Sequence, residues 1–311
     1  MLYVEAIEIL EGIISMADVV QKIISGNAIQ QGVAVSHVTQ TGNIHNVVPN
    51  VTNAISVSDA ETKWTSRFDD TEYYGTMFKP TIISGCQVWL AANKITGLSD
   101  GDVVTTWSDS SGQSNDFAQS TASKKPLYKT SIFNTRPAIK FDGVDDFLLS
   151  VPGSEVTGST GYSVFAVFKF VAESNWITPL AIGAGGNPMM RFFQLDGATP
   201  RNIRAEGKNA GNTALTVATG SDVDLSATYV GSLINGSTAS QYLNGVADAS
   251  DDAFNLSDHS LTRFTLGSAS TPANYASCYI AEVAFYNREV TGPERRRIEG
   301  YLARKYGVTM P

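Results

Sequence analysis

The stretch YIAEVAFYNREVTGPERRRIEGYLARKYG, residues 279–307, decides how the chain is read. It opens as an apolar, strand-like run carrying one acid, Glu282. Asn287 to Pro293 then ends the strand and begins a helix within a few residues. Thr291 stands where an N-cap belongs, with Glu294 three residues on, the spacing of a capping box. Pro293 falls in the first turn, where its missing N–H costs little. Ile298, Tyr301, Leu302 and Lys305-Tyr306 put an apolar stripe on one helix face. Gly307 is placed to cap the C-terminus. Arg295, Arg296, Arg297 and Arg304 line the other faces. They read as a solvated surface, with a phosphate site as the competing reading of three consecutive arginines. One capped helix closing a chain needs a partner for its stripe, and the preceding sequence supplies strands.

From Cys86 onward strand signals recur about every ten residues with turn residues between them, the pattern of a sandwich. They include CQVWLAA (86–92), RPAIKFDGVDDFLLS (136–150), MMRFFQL (189–195), DLSATYVGSLI (224–234) and RFTLGSAS (263–270). YSVFAVFKFV (162–171) is apolar on both alternating faces, which predicts a central strand covered on both sides. Residues 1–80 differ. Dense apolar positions at 2–24 precede short Val/Ile runs split by Gly, Asn and Pro, too little for a separate core. An aromatic-rich linker ends at Pro80. We expect 1–80 to be an anchoring or assembly region with its linker and 81–311 to be the main domain. The start lacks a basic n-region and carries Glu5, Glu8 and Glu11, so it is not read as a signal peptide. Met16 is an alternative natural start to Met1.

Composition narrows the function. Of 311 residues, 42% are hydrophobic, enough for a sizeable core, and the net charge is −8. No Lys/Arg stripe occurs outside the last helix, which disfavours nucleic-acid partners. No apolar run reaches the ~18 residues of a membrane helix. Cys86 and Cys278 show no metal spacing.

The ordered segments VWLAAN, WSDSSGQSNDFAQ, RPAIKFDGVDDFLL, YSVFAVFKF, YLNG, LGSAS and the closing 279–308 resemble the concanavalin A-like lectin/glucanase superfamily in its laminin G-like branch, over residues 86–308. The resemblance implies an all-β fold, a two-sheet antiparallel jelly-roll sandwich with a C-terminal capped helix. It also implies that the strands opening at Cys86 and Cys278 pair antiparallel. The two thiols would then lie at opposite ends of the pair and stay free.

Chemistry is sparse. Glycosidases need two carboxylates across a cleft, and no alternating acid run occurs after residue 86. No catalytic residue is assigned. Glu282 is expected to be a back-sheet acid satisfied by a hydrogen bond. His37, His45 and His259 sit in no nucleophile motif. No cofactor is expected. Calcium is the metal to consider, because laminin G-like domains hold it at loop ends, and its candidate ligands are Asp109, Asp116, Asp142 and Asp145. Asn115 and Asp146 stand beside them, and turn chemistry is the competing reading. Trp176, in a loop, is the candidate ligand-binding residue, stacking on a sugar. Trp89 and Trp107 read as core. Sequons at Asn50, Asn235 and Asn255 are set aside.

These features lead to a non-enzymatic virion structural or adhesive protein, such as a phage capsid decoration, fibre or tail-associated protein. It would display a lectin-like sandwich on an N-terminal anchor. Its expected partners are other virion proteins through 1–80 and a cell-surface glycan, without nucleic acid or membrane, and homo-oligomerisation is expected. The alternatives are a carbohydrate-binding module of an extracellular or cell-surface protein, and a glycoside hydrolase.

Overall fold

The structure, a computed structural model, describes residues 78–150, 156–157, 161–171, 176–183, 189–195, 201–208, 214–218, 223–236, 238–252, 260–261, 263–269 and 273–311. All lie in the unit Gly75–Pro311. The expected anchoring region is outside the described residues apart from 78–80, and so are His37, His45, His259, Asn50 and Asn255.

The strands in chain order are β1 (Cys86–Ala91), β2 (Thr106–Trp107), β3 (Phe117–Ala118), β4 (Leu127–Phe133), β5 (Arg136–Asp142), β6 (Leu148–Ser150), β7 (Val156–Thr157), β8 (Tyr162–Phe170), β9 (Leu180–Gly183), β10 (Met189–Leu195), β11 (Ile203–Lys208), β12 (Ala214–Ala218), β13 (Tyr229–Asn235), β14 (Thr238–Leu243), β15 (Val246–Asp252), β16 (Ser260–Leu261), β17 (Phe264–Leu266) and β18 (Ser277–Tyr286). One helix, α1 (Gly292–Tyr306), follows them.

The strands form two antiparallel sheets and a small ribbon. The first sheet runs β15-β14-β13-β8-β18-β5-β4, with β1 also pairing with β18. The second runs β12-β11-β10-β9-β17-β6-β3-β2, and β7 pairs with β16. This is the expected sandwich. Its main core lies between the sheets and includes Trp107, Phe141, Val164, Phe168, Phe192 and Phe285. A second core lies between the first sheet and α1. Strand β8 is buried on both faces because its alternate side chains serve both layers. Val164, Ala166 and Phe168 enter the main core, and Phe165 and Val167 meet the helix side.

The helix termini behave as their sequence dictates. Thr291 accepts from the Glu294 N–H, and the Glu294 side chain accepts from the Thr291 N–H, so the capping box is complete. Gly307 closes the helix at φ 70°, a left-handed value that suits glycine. Ile298, Tyr301, Leu302 and Tyr306 are buried against the sheet. Of the arginines, Arg296 and Arg297 are exposed, whereas Arg295 pairs with the buried Glu299 at 2.6 Å.

Glu282 ties this layer together. Its side chain is 0% exposed. It accepts from Trp89 Nε1 (2.6 Å), Tyr301 Oη (2.9 Å), Lys305 Nζ (2.6 Å) and Tyr306 Oη (2.8 Å). Three of these donors come from α1 and one from β1, while Glu282 itself is on β18. Burial pulls the Lys305 pKa down, and Glu282 works against that shift. Burial also raises the Tyr301 and Tyr306 pKa values, so both phenols stay protonated as donors.

The strand pairing settles the cysteines as the resemblance implied. Cys86 lies opposite Tyr286, at the far end of β18 from Cys278. Eight residues at ~3.4 Å each separate the thiols by about 27 Å along the strand. Both are free and buried, and burial pushes the Cys86 thiol up to about 12. We expect neither thiol to react with a maleimide in the native chain and both to react in guanidinium. Fast native labelling of either one would contradict this packing.

Candidate functional site

Three connections meet at one end of the sandwich. The first is the turn between β5 and β6, FDGVDDF. Asp142 Oδ1 accepts the N–H groups of Val144 (2.8 Å), Asp145 (3.2 Å) and Asp146 (3.3 Å), and Asp146 Oδ2 accepts the Asp142 N–H (3.0 Å). Gly143 has φ 81°, and a Cβ there would lie 2.8 Å from Ser277 Cβ, so the turn fits closely against the start of β18. The second is the segment before β9. The third is the loop between β17 and β18. The Thr178 N–H donates to Asn274 O (3.0 Å), and the Val171 N–H donates to Ser277 O (2.8 Å). Tyr275 packs on Phe147 with ring centroids 6.4 Å apart.

The acidic turn gathers charge. Among the described residues, Asp142, Asp145 and Asp146 are the one group of three metal-ligating side chains whose atoms fall within 4.8 Å of one another. Asp146 is buried, and burial, followed by repulsion from Asp142 and Asp145, raises its pKa to about 6. The structure therefore brings Asp142 and Asp145 together with Asp146. It places Asp109 and Asp116 elsewhere, at the free edge of β1. There Asp109 Oδ1 accepts the Trp89 and Ser111 N–H groups (2.8 and 2.9 Å). Its Oδ2 accepts from Ser111 Oγ (2.5 Å) and the Asn115 N–H (3.0 Å). Asp116 accepts the Asp109 N–H (2.7 Å), and Asn115 Nδ2 donates to Gln87 O (2.7 Å). These bonds satisfy backbone groups that an edge strand leaves open.

Trp176 sits at the acidic turn's end of the sandwich, just before β9. It is 42% exposed, and its φ is 64°, a strained value for a bulky residue. The Arg204 guanidinium lies 4.1 Å from its ring centroid, a cation–π stack. Arg204 belongs to β11 and begins a polar strip on the outer face of the second sheet. Arg204 Nε donates to Gln194 Oε1 (3.4 Å), and Gln194 Nε2 donates to Thr178 Oγ1 (3.1 Å). Farther along, Arg191 Nη1 donates to Glu206 Oε2 (3.1 Å), and Arg204 Nη2 lies 3.6 Å from the same oxygen.

A bulge in β10 builds this strip. The register shifts between Arg191 and Gln194, and Phe193 takes φ 53°. Phe192 and Phe193 both turn into the core, so Arg191 and Gln194 share the outer face. Phe193 fits because position 231 is glycine; a Cβ there would lie 2.6 Å from its ring. The sequence reading named Trp176 but missed Arg191, Gln194, Arg204 and Glu206. The i, i+2 spacing of Arg204 and Glu206 was a usable signal, whereas the bulge hid the relation of Arg191 to Gln194. Trp89 and Trp107 are core, as expected, and Asn235 is buried.

A profile of the Concanavalin A-like lectin/glucanases superfamily (Laminin_G_3) matches residues 142–294. The matched span includes the acidic turn, Trp176 and the polar strip. Among solved structures, the chain is similar to the receptor binding domain of botulinum neurotoxin D, with TM-score 0.52 and 12% identity over 71% of this chain and 53% of that one. The serotype D ligand binding domain in complex with N-acetylneuraminic acid gives TM-score 0.51 and 12% identity over 70% of this chain and 50% of that one. The Trypanosoma rangeli sialidase gives TM-score 0.48 and 11% identity over 78% and 39%. The chain thus spans about half the length of the neurotoxin domains it matches, and at such identity the likeness concerns the fold. No curated protein sequence matches the chain.

Asp146 gives the site a pH signature. Its folded pKa lies above the unfolded value of 3.8, so its stabilising contribution is fully present below that value and is lost as pH rises through about 6. Glu294 titrates the opposite way. Its pKa is held at about 2, first by the Arg288 hydrogen bond, so its contribution is lost only in stronger acid. Urea melts at pH 5 and pH 7 should show a gain at the lower pH that Asp146→Asn abolishes. An equal gain in the variant would assign the effect to other groups.

Proposed function

We propose that this chain is a non-enzymatic, lectin-like adhesive protein that binds carbohydrate at the loop end carrying Trp176. The observation that carries the reading is Trp176 itself. A large aromatic ring is exposed, held in a left-handed backbone conformation and stacked by Arg204, beside hydrogen-bonding side chains. Strain of this kind is retained where a site needs it, and an apolar ring among placed polar groups suits a sugar face. The family profile and the fold likeness to neurotoxin binding domains, one of them in complex with N-acetylneuraminic acid, support a sugar ligand.

The sandwich is the displayed part of this protein, and residues 1–80 attach it to a larger assembly, a virion in our reading, as one of several identical copies. The chain should copurify with particles, and a chain lacking residues 1–77 should be absent from them. Absence of the full chain from purified virions would leave an extracellular or cell-surface carbohydrate-binding protein as the reading.

Calcium fits the acidic turn in part. Among the described residues, the hydrogen bonds of this turn use Asp142 Oδ1 and Asp146 Oδ2 and leave the other oxygen of each carboxylate, and Asp145 adds a third carboxylate. A calcium ion takes six to eight oxygens, so waters or ligand hydroxyls would supply the rest. Its charge would relieve the repulsion among the three acids and steady the loops beside Trp176.

A glycan array tests the reading. We expect selective binding, weakened roughly tenfold or more, about 1.4 kcal/mol, by Trp176→Ala. Millimolar calcium should raise the melting temperature at pH 7 in the native chain and leave Asp145→Asn unchanged. Unaltered binding by Trp176→Ala would remove the tryptophan from the site.

A further inference from the structure

Two lysines and a tyrosine form a row on the outer face of the first sheet, just beyond α1. Tyr279 on β18 lies opposite Lys140 on β5 and opposite Lys169 on β8. Their sequence neighbours Ile139 and Phe141, Cys278 and Ile280, and Phe168 and Phe170 all enter the main core. Alternation then turns Lys140, Tyr279 and Lys169 to the other face, the one that α1 packs on. The last turn of α1 stops one row short of them. There the Tyr306 hydroxyl donates to Ala281 O (3.4 Å), one step along β18 from Tyr279 on the same face. Phe133 stands between the two tyrosines, edge-on to Tyr306 at 6.2 Å and to Tyr279 at 6.4 Å. It steadies the Tyr279 ring, while all three side chains of the row stay partly open to solvent.

Among the described residues neither lysine is in an ion pair. Two acids that feel them, Asp146 and Asp224, are engaged by local donors. Asp146 Oδ2 accepts the Asp142 N–H (3.0 Å), and Asp224 Oδ1 accepts the Ser226 N–H (2.7 Å). The lysine backbones stand two strand spacings apart, roughly 10 Å, with the tyrosine between them. A ring flanked by two cations suits a sugar that carries anionic groups at its sides. Lysine meets an anion as a compact point charge, which suits a tetrahedral oxyanion, whereas the planar carboxylate matches the arginine fork. Asp142 is exposed in the next row, opposite Ser277, and repels an anion from that side. With α1 closing the other side, a bound chain runs across the strands, along the row. The net charge of −8 gives the whole molecule no long-range pull on an anion, so the attraction is local. We propose that the Lys140–Tyr279–Lys169 row binds a glycan bearing sulfate or phosphate esters. Trp176 stacks on Arg204 of the second sheet, so this is a separate site, and the inference does not rest on the Trp176 reading.

Titration calorimetry on the full chain at physiological salt tests it with two matched pairs: chondroitin sulfate beside desulfated chondroitin, and phosphomannan beside dephosphorylated mannan. At least one ester-bearing polymer should bind roughly tenfold or more tightly than its ester-free counterpart, and the tighter pair names the ester. Lys140→Gln/Lys169→Gln should remove that preference. Lys79→Gln/Arg296→Gln, which removes two exposed cations elsewhere, should keep it, and so should Trp176→Ala. Tyr279→Leu keeps an apolar side chain against Phe133 and should weaken binding through loss of the ring. A preference lost in Trp176→Ala and kept in the Lys140/Lys169 variant would move the ligand to Trp176, overturning this inference and keeping the glycan reading. Equal loss in the two double variants would reduce the effect to general polyanion attraction and overturn it. Equal binding within each pair, or binding of none of the polymers, would also overturn it, leaving the Trp176 reading to the array.

Discussion

The buried carboxylate of Glu282 organises the helix side of this fold. A charge without solvent exposure is costly unless paired and hydrogen-bonded, and Glu282 meets that demand with four donors. Those donors fix three elements at once. Trp89 sets β1 against β18, and Tyr301, Lys305 and Tyr306 set the rotation and height of α1. A buried pair of this kind is weak evidence of net stability, since apolar residues of similar shape often do as well. Its physical consequence is geometric: any slip of α1 would leave a charge and several donors unpaired. The hydrophobic stripe supplies attraction without direction, and the carboxylate supplies the direction.

That lock leaves the rest of the molecule free to vary. With one face of the first sheet covered by α1 and the other by the second sheet, the loop ends remain open. The strained Trp176 and the crowded acids at 142–146 occur there. The helix side shows the opposite character, with Glu299 accepting from Ser232 and Arg295. Satisfied polar groups hold α1 on the sheet, while backbone strain and crowded charge collect at the loop end that carries Trp176.

The sequence made the fold side legible because its signals are local. Thr291 with Glu294, Gly307 and the two-faced apolar run of β8 each follow from spacing along one element. Glu282 was visible as a lone acid in an apolar strand, though nothing in the sequence named its four partners. The candidate site was legible only in pieces. Trp176 stood out as a loop aromatic and the acidic turn as a cluster, yet their common end of the sandwich is a tertiary fact. Asp109 and Asp116 resemble ligands by composition, and only the path of the loop beside β1 turns them into backbone caps. The Arg191 strip was hidden because a bulge at Phe193 breaks the alternation from which faces are read.

The most direct test of this division uses Lys305→Met. It removes one partner of the buried pair, leaves the Glu282 charge less compensated and keeps most of the side-chain volume. The account predicts a loss of about 3–5 kcal/mol in urea unfolding, partly recovered in the Glu282→Gln/Lys305→Met double variant, with glycan affinity of the folded protein unchanged. A variant as stable as the native chain, or one that stays folded but loses glycan binding, would contradict it.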